Sequence, residues 1–379
     1  MGVGVPTIAR LLRRKPAAAV ALVLLLAGCR SSTSMLVDGA YQPDPPAHME
    51  FGEFSQTPRP RLGGLPWPGA LTLFEAISPG DLGQHSYGGP LGNSERSRGM
   101  IYTCRGGFID IAHTRKSIDL CKYAAVRAEF ALRRDWTAFR LKSIEPSLYT
   151  VRLNYPPYWR SLPPEKKDAL VRELSIRIGQ RMSMLMMTWH EAMTWFGYSS
   201  TPISESQSAF TYDDTGSHAL GMLVGGRALR DHTSPWNEAV TRELAGALSE
   251  LGAADPEQTV EAGNSVEDES WRGLKPLQRQ FEWGWEGEPI VAQIVPRLAF
   301  CDGAVPYRYE LPRLDFVLGR DVRGLVQVEI EPRVLQAGRI RAVVPGAPSV
   351  IEVDRDMPLI MRHMKRQHLD QDGVQRLRP

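Results

Sequence analysis

Between positions 164 and 197, apolar residues recur every three or four places: Leu170, Leu174, Ile178, Met182, Leu185, Trp189, Ala192 and Phe196. That is the period of a helix with one buried face. Pro163-Pro164 opens the helix and Gly197 suits the left-handed position after its end. A second helical pattern starts near Phe108 and reaches about Arg134 through Ile111, Ile118, Tyr123, Val126 and Phe130. A third opens at Thr211-Tyr212-Asp213-Asp214, a capping-box-like start with Asp214 in the place of the usual Glu or Gln. It carries Ser217, Gly221 and Gly225 at four-residue intervals, small enough for another backbone to approach. The fourth has Ser234 as N-cap, Pro235 at N1 and Gly252 past its end.

The pattern then changes period. Short β-branched runs at 290–294, 325–330, 340–344 and 350–353 are cut by Pro and Gly and predict strands. A short helix is expected over 358–367. The fold class implied is α+β, with about four helices over 105–252 and a small antiparallel β-rich part over 285–355. Residues 253–270 hold six acidic side chains and no basic ones, and predict a solvated loop.

The N-terminus has another character. After Arg13-Arg14-Lys15, an apolar run over 17–27 ends in Leu26-Ala27-Gly28-Cys29. The run is shorter than the roughly 20 residues a spanning helix needs, and the whole resembles a bacterial lipoprotein signal over 1–28, with Cys29 as the acylated residue. The resemblance implies an envelope protein held to a membrane by its N-terminal lipid. Arg30, where an aspartate would signal inner-membrane retention, favours the outer membrane with the domain facing the periplasm. Residues 29–69 are rich in Pro and read as an extended tether, leaving 70–379 as a single domain.

Composition modifies this picture little. The chain is 42% hydrophobic and 23% charged, in the globular range. Its net charge of +2 includes Arg10, Arg13, Arg14 and Lys15; subtracting these four leaves about −2 in the mature chain, which carries no electrostatic footprint for nucleic acid. Of the three cysteines after Cys29, Cys104 and Cys121 are near in sequence and are the favoured disulfide pair, with Cys301 left over; three free buried thiols are the alternative.

Three segments place ionisable residues inside apolar helical patterns. On a helix, Asp110, His113 and Ser117 share a face, and the carboxylate can orient the imidazole. Thr188-Trp189-His190-Glu191 lies deep in the long helix; Thr194 excludes the His-Glu-x-x-His zinc motif, but the pair can supply an acid–base couple or a ligand. Asp214 and His218, four residues apart, face one another across a turn. Together the segments suggest a metal site with ligands projecting from facing helices. His113, His190 and Asp110 are the candidate ligands of a divalent metal such as zinc, Glu191 with His190 the candidate catalytic pair, and Asp214 and His218 secondary candidates. No serine-hydrolase elbow, phosphate loop or Cys-x-x-Cys pair is present.

The blocks Gly-Gly-Phe-Ile-Asp-x-x-His-x-Arg at 106–115, Trp-x-Glu-x-x-x-Trp-Phe-Gly at 189–197, and Ser-Ala-Phe at 208–210 with its acidic pair, Ser217 and Gly221 resemble an uncharacterised bacterial lipoprotein family, domain of unknown function 4056. The resemblance covers about 71 to the C-terminal helix and implies no activity. An asparagine is usual in that family where this chain has His218, which places more weight on His113, His190 and Glu191. Two functions fit: a metal-dependent or His/Glu acid–base hydrolase acting on a cell-envelope substrate, or a non-catalytic lipoprotein that binds a protein or cell-wall partner.

Overall fold

A computed structural model describes residues 58, 61, 75–86, 99–143, 146–197, 206–272 and 275–376. The signal, Cys29 and most of the expected tether lie outside the described residues. Within the tether span, Pro58 and Arg61 are buried, and Arg61 Nε donates to the buried Asp119 at 2.7 Å. At Arg61 the chain therefore packs on the domain instead of running free.

Three helices form the centre: α1 (Ile111–Arg133), α2 (Pro164–Trp195) and α3 (Asp214–Arg230). Each pair is in contact, and the approach is close because small residues line the seams. A Cβ on Gly221 of α3 would stand 2.3 Å from the Thr114 carbonyl oxygen of α1, and one on Gly179 of α2 would stand 2.5 Å from that of Cys121. The spacing of Ser217, Gly221 and Gly225 thus marks a real helix–helix seam. Trp189, Leu185 and Leu174 of α2 are fully buried, as the apolar period requires.

α1 starts later than its pattern suggests. Residues 107–110 form strand β2 (Gly107–Asp110), paired antiparallel with β1 (Met100–Thr103). Gly107 takes φ +73°, and Asp110 ends the strand by accepting the N–H groups of Ala112 and His113 on one carboxylate oxygen. That N-cap sets where the helix begins.

The main sheet is antiparallel in the order β6 (Ile351–Glu352), β5 (Val326–Glu331), β4 (Leu148–Leu153), β3 (Ala138–Lys142). Two of its strands come from between α1 and α2, so the sheet is shared by both halves of the chain and is not confined to the C-terminal part. The expected strand at 290–294 is reduced to Ile290–Val291, and that at 325–330 is β5.

Other expectations need correction. Residues 340–344 belong to a helical turn, Ala337–Arg341, and its continuation; Val334, Ala337, Ile340 and Val344 are buried at three- and four-residue spacing, which a strand cannot bury on one side. The acidic segment holds helix Pro256–Ser265. Asp255 and Gln258 form a full capping box, Thr259 and Ala262 turn inward, and Asp255 and Glu257 lie at the N-terminal end that the helix dipole favours, while Glu267, Asp268 and Glu269 follow the C-terminal end. The helix after Ser234 runs Trp236–Glu250, with Pro235 and not Ser234 at the cap. The C-terminal helix is longer than expected, Val353–Arg376, because its buried stripe of Val353, Met357, Ile360, Met361 and Met364 begins before Pro358. The disulfide joins Cys104 to Cys301, with Cα atoms 5.1 Å apart, while Cys121 is a buried thiol in the α1–α3 seam beside Gly225. Proximity in sequence misled here: Cys104 lies on the β1–β2 turn, away from the helix face that carries Cys121.

Candidate metal centre

The three sequence blocks meet where α1, α2 and α3 cross. Asp110 caps α1 and His113 sits on its first turn; Glu191 comes from α2; Asp213, Asp214 and His218 come from the start of α3. All but His113 are buried, and the His113 side chain is 17% exposed.

Backbone and serine hydrogen bonds fix the arrangement. Ser217 Oγ accepts the Asp110 N–H at 2.8 Å and donates to the Asp213 carbonyl at 2.6 Å. Ser117 Oγ lies 2.8 Å from both the His218 carbonyl and Ser183 Oγ, and Ser183 Oγ lies 2.6 Å from the Ser117 carbonyl. Two hydroxyl protons serve three contacts, and all three tie neighbouring helices together at the level of the histidines.

The Nδ1 of His113 stands 3.0 Å from Asp214 Oδ1, at ion-pair distance but without hydrogen-bond alignment. Asp214 Oδ2 accepts from the Thr211 N–H at 2.7 Å, which turns the other oxygen toward His113. The rings of His113 and His218 lie 5.4 Å apart. His218 Nε2 is buried with no hydrogen-bond partner, 3.8 Å from Glu191 Oε1, whose Oε2 accepts the Phe210 N–H at 2.9 Å. One ligand atom from each of His113, Asp214 and His218 falls within 4.8 Å of the others, and a second such group is Asp110, His113 and Asp213. For an ion held about 2.0 to 2.2 Å from nitrogen and oxygen, tetrahedral ligands stand about 3 to 3.5 Å apart, so small side-chain movements would suffice.

The electrostatics are those of crowded carboxylates around imidazoles. Burial opposes charge on His113, but Asp110, with Asp214 and Glu191, raises it to about 10. Asp214 is held near 2 against its burial, chiefly by His113. Burial, with the charges of Asp214 and Asp110, pushes Asp213 up to about 8. Burial, then Asp214, pushes Glu191 well above the usual carboxylate range. Burial and the neighbouring His113 push His218 well below the usual histidine range. The single hydroxyl of Thr211 is shared between the two carboxyl groups as donor, 3.0 Å from Asp213 Oδ1 and 2.9 Å from Asp214 Oδ2.

The sequence candidates are therefore regrouped. His113 and Asp110 lie in the centre, and Glu191 lines it. His190 is half-buried and belongs to neither ligand group, although its charge reaches His218. The secondary candidates Asp214 and His218 take the central place. Asp213 escaped sequence reasoning; its signal was its position as half of the acidic pair that opens α3.

The sequence pattern of the family described as Protein of unknown function (DUF4056) matches residues 51–282, more than half of the chain. The chain belongs to this family. All six residues of the centre fall inside the matched span. No curated protein and no solved structure matches the chain.

Proposed function

We propose that this DUF4056 protein is a metal-dependent hydrolase of the bacterial cell envelope, anchored through Cys29. The reading rests on one observation above all: the ligand atoms of His113, Asp214 and His218 converge within 4.8 Å in a buried setting, and His218 Nε2 has no other partner there. A divalent cation on these residues would lower the pKa of a bound water and polarise a carbonyl or phosphoryl group. Glu191, raised by burial and by Asp214, is the candidate general acid–base, because that direction brings a carboxyl toward neutral pH. Export is supported by the basic and apolar run before Cys29 and by the Cys104–Cys301 disulfide, which suits an oxidising compartment. Among the described residues, no helix is long and apolar enough to cross a membrane, and the proposed anchor is the lipid.

A second reading has its own support. Asp214, His218 and Glu191 have side chains only 1 to 3% exposed, as expected of a cation that braces three helices in a non-catalytic lipoprotein that binds an envelope or cell-wall partner. Turnover distinguishes the two. Zinc- and manganese-loaded protein is offered p-nitrophenyl acetate and purified cell-wall fragments, before and after chelation. The hydrolase reading expects turnover that chelation removes, and a Glu191→Gln variant that keeps the metal but loses turnover. Bound metal without turnover in the parent protein would overturn the catalytic reading in favour of the bracing one.

A further inference from the structure

A cleft lies between the β1–β2 hairpin and the helix Pro256–Ser265, and Asp213 is part of its lining. Met100 and Asp110 are cross-strand partners, and Phe108 stands two residues before Asp110, so the pleat puts all three side chains on one face of the hairpin. Met100 and Phe108 line the cleft, while Asp110 belongs to the centre. Asp213 belongs to both, since one of its carboxyl oxygens lies within 4.8 Å of a His113 ring nitrogen. The cleft and the centre therefore share a wall.

The opposite side is built by Thr259, Val260 and Gly263 of the helix, with Trp271 after it. Thr259 Oγ1 accepts the Tyr102 N–H at 3.1 Å, which ties the helix to β1 and fixes the width of the cleft. The rings of Phe108 and Trp271 both pack on Tyr212, at 6.2 and 6.4 Å between centroids, so the apolar walls are braced. Val260, 37% exposed, marks the solvent edge. The interior holds about one water-sized group at a time, which admits a file of methyl and methylene groups and rejects a ring or a branched carbon.

We propose that this cleft receives the acyl group of the substrate, so that the protein hydrolyses esters or amides of short unbranched acids, acetyl to butyryl. This inference rests on the metal-dependent hydrolase reading given above and names its substrate class. An apolar chain lying along Met100, Phe108 and Trp271 would place its carbonyl end at Asp213, beside the metal ligands. Water adds to the acyl carbon, the bond from that carbon to oxygen or nitrogen breaks, and the departing alcohol or amine leaves with one of the water's protons, freeing a short carboxylic acid. Size and apolarity together select the group: a sugar ring is too wide, and a charged chain would be desolvated against apolar walls.

The test reads binding, separately from turnover. Zinc-loaded parent, Val260→Trp and Met100→Ala are analysed for metal, melted to verify folding, and titrated by calorimetry with formo-, butyro- and pivalohydroxamate, whose hydroxamate oxygens bind zinc and whose acyl groups differ only in shape. The parent should bind the linear butyrohydroxamate about tenfold or more tighter than the branched pivalohydroxamate, and Met100→Ala, which widens the cleft, should bring the two within about threefold. Val260→Trp, which fills the cleft from its solvent edge, should lose about tenfold or more for butyrohydroxamate and keep the parent's affinity for formohydroxamate, which has no chain. Equal affinity for the linear and branched acids in the parent, a comparison that needs no variant, would overturn the acyl cleft and leave the metal reading standing, as would variants that bind all three like the parent. A parent that holds no zinc would overturn both.

Discussion

The Oγ of Ser217 accepts the backbone N–H of Asp110 at 2.8 Å, joining the cap of the helix that carries His113 to the first turn of the helix that carries His218. Replacing Ser217 with alanine leaves that buried N–H unpaired, at a cost of about 1 to 3 kcal/mol. The same variant should weaken metal binding, since the two histidines lose their common reference. Thermal melts and zinc titration check the two effects; a melt equal to the parent's would contradict this account of the seam.

Trp189 is fully buried on α2, and its Nε1 donates to Ser147 Oγ at 3.0 Å. Trp189→Ala should cost roughly 3 to 5 kcal/mol, from lost transfer energy and the cavity left behind. Denaturant unfolding measures it.

Much of this helical centre was legible in the sequence. The three- and four-residue period of α2, the small-residue spacing of α3 and the three polar blocks follow local rules, and local rules survive folding. The convergence of His113, Asp214 and His218 was not legible in the same way. His190 and His218 both sit next to acidic or apolar residues in sequence; what separates them is the crossing of α3 over α1, a long-range relationship set by Gly221 and its backbone contact. The pairing of β4 with residues 326–331 and the Cys104–Cys301 bond depend on partners far along the chain, whereas β3 and β4 pair as a local hairpin. The helix at Pro256–Ser265 could have been found, since Asp255 and Gln258 spell its capping box, but its acidity was read as solvation.

Acid should weaken the attachment of Arg61 and His85 to α1. Asp119 accepts from Arg61 and pairs with His85 at 2.8 Å; against its burial, His85 and Arg61 hold its carboxyl near 2. An unfolded aspartate titrates near 3.9, so the folded state binds its proton less readily. Its contribution, on the order of 2 kcal/mol, is complete above about pH 5 and is lost as pH falls toward 2. His85, depressed by burial, acts in the same direction as pH drops below its unfolded value. The difference in stability between parent and Asp119→Asn should therefore shrink from pH 6 to pH 2; a difference independent of pH would contradict the assignment.

A non-reducing digest should yield a peptide joining Cys104 to Cys301 with Cys121 recovered as a thiol. Cys301→Ser should lower stability by about 2 to 5 kcal/mol. A Cys104–Cys121 peptide would contradict the pairing.

The central claim is that His113, Asp214 and His218 bind a cation together. Zinc titration by calorimetry of the stripped parent protein beside His218→Ala tests it most directly. Outer contacts of metal ligands alone are worth about 10- to 100-fold in affinity, so loss of His218 itself should weaken the tight zinc site by 100-fold or more while the circular dichroism spectrum is retained. A folded His218→Ala protein that binds zinc as tightly as the parent would contradict the account.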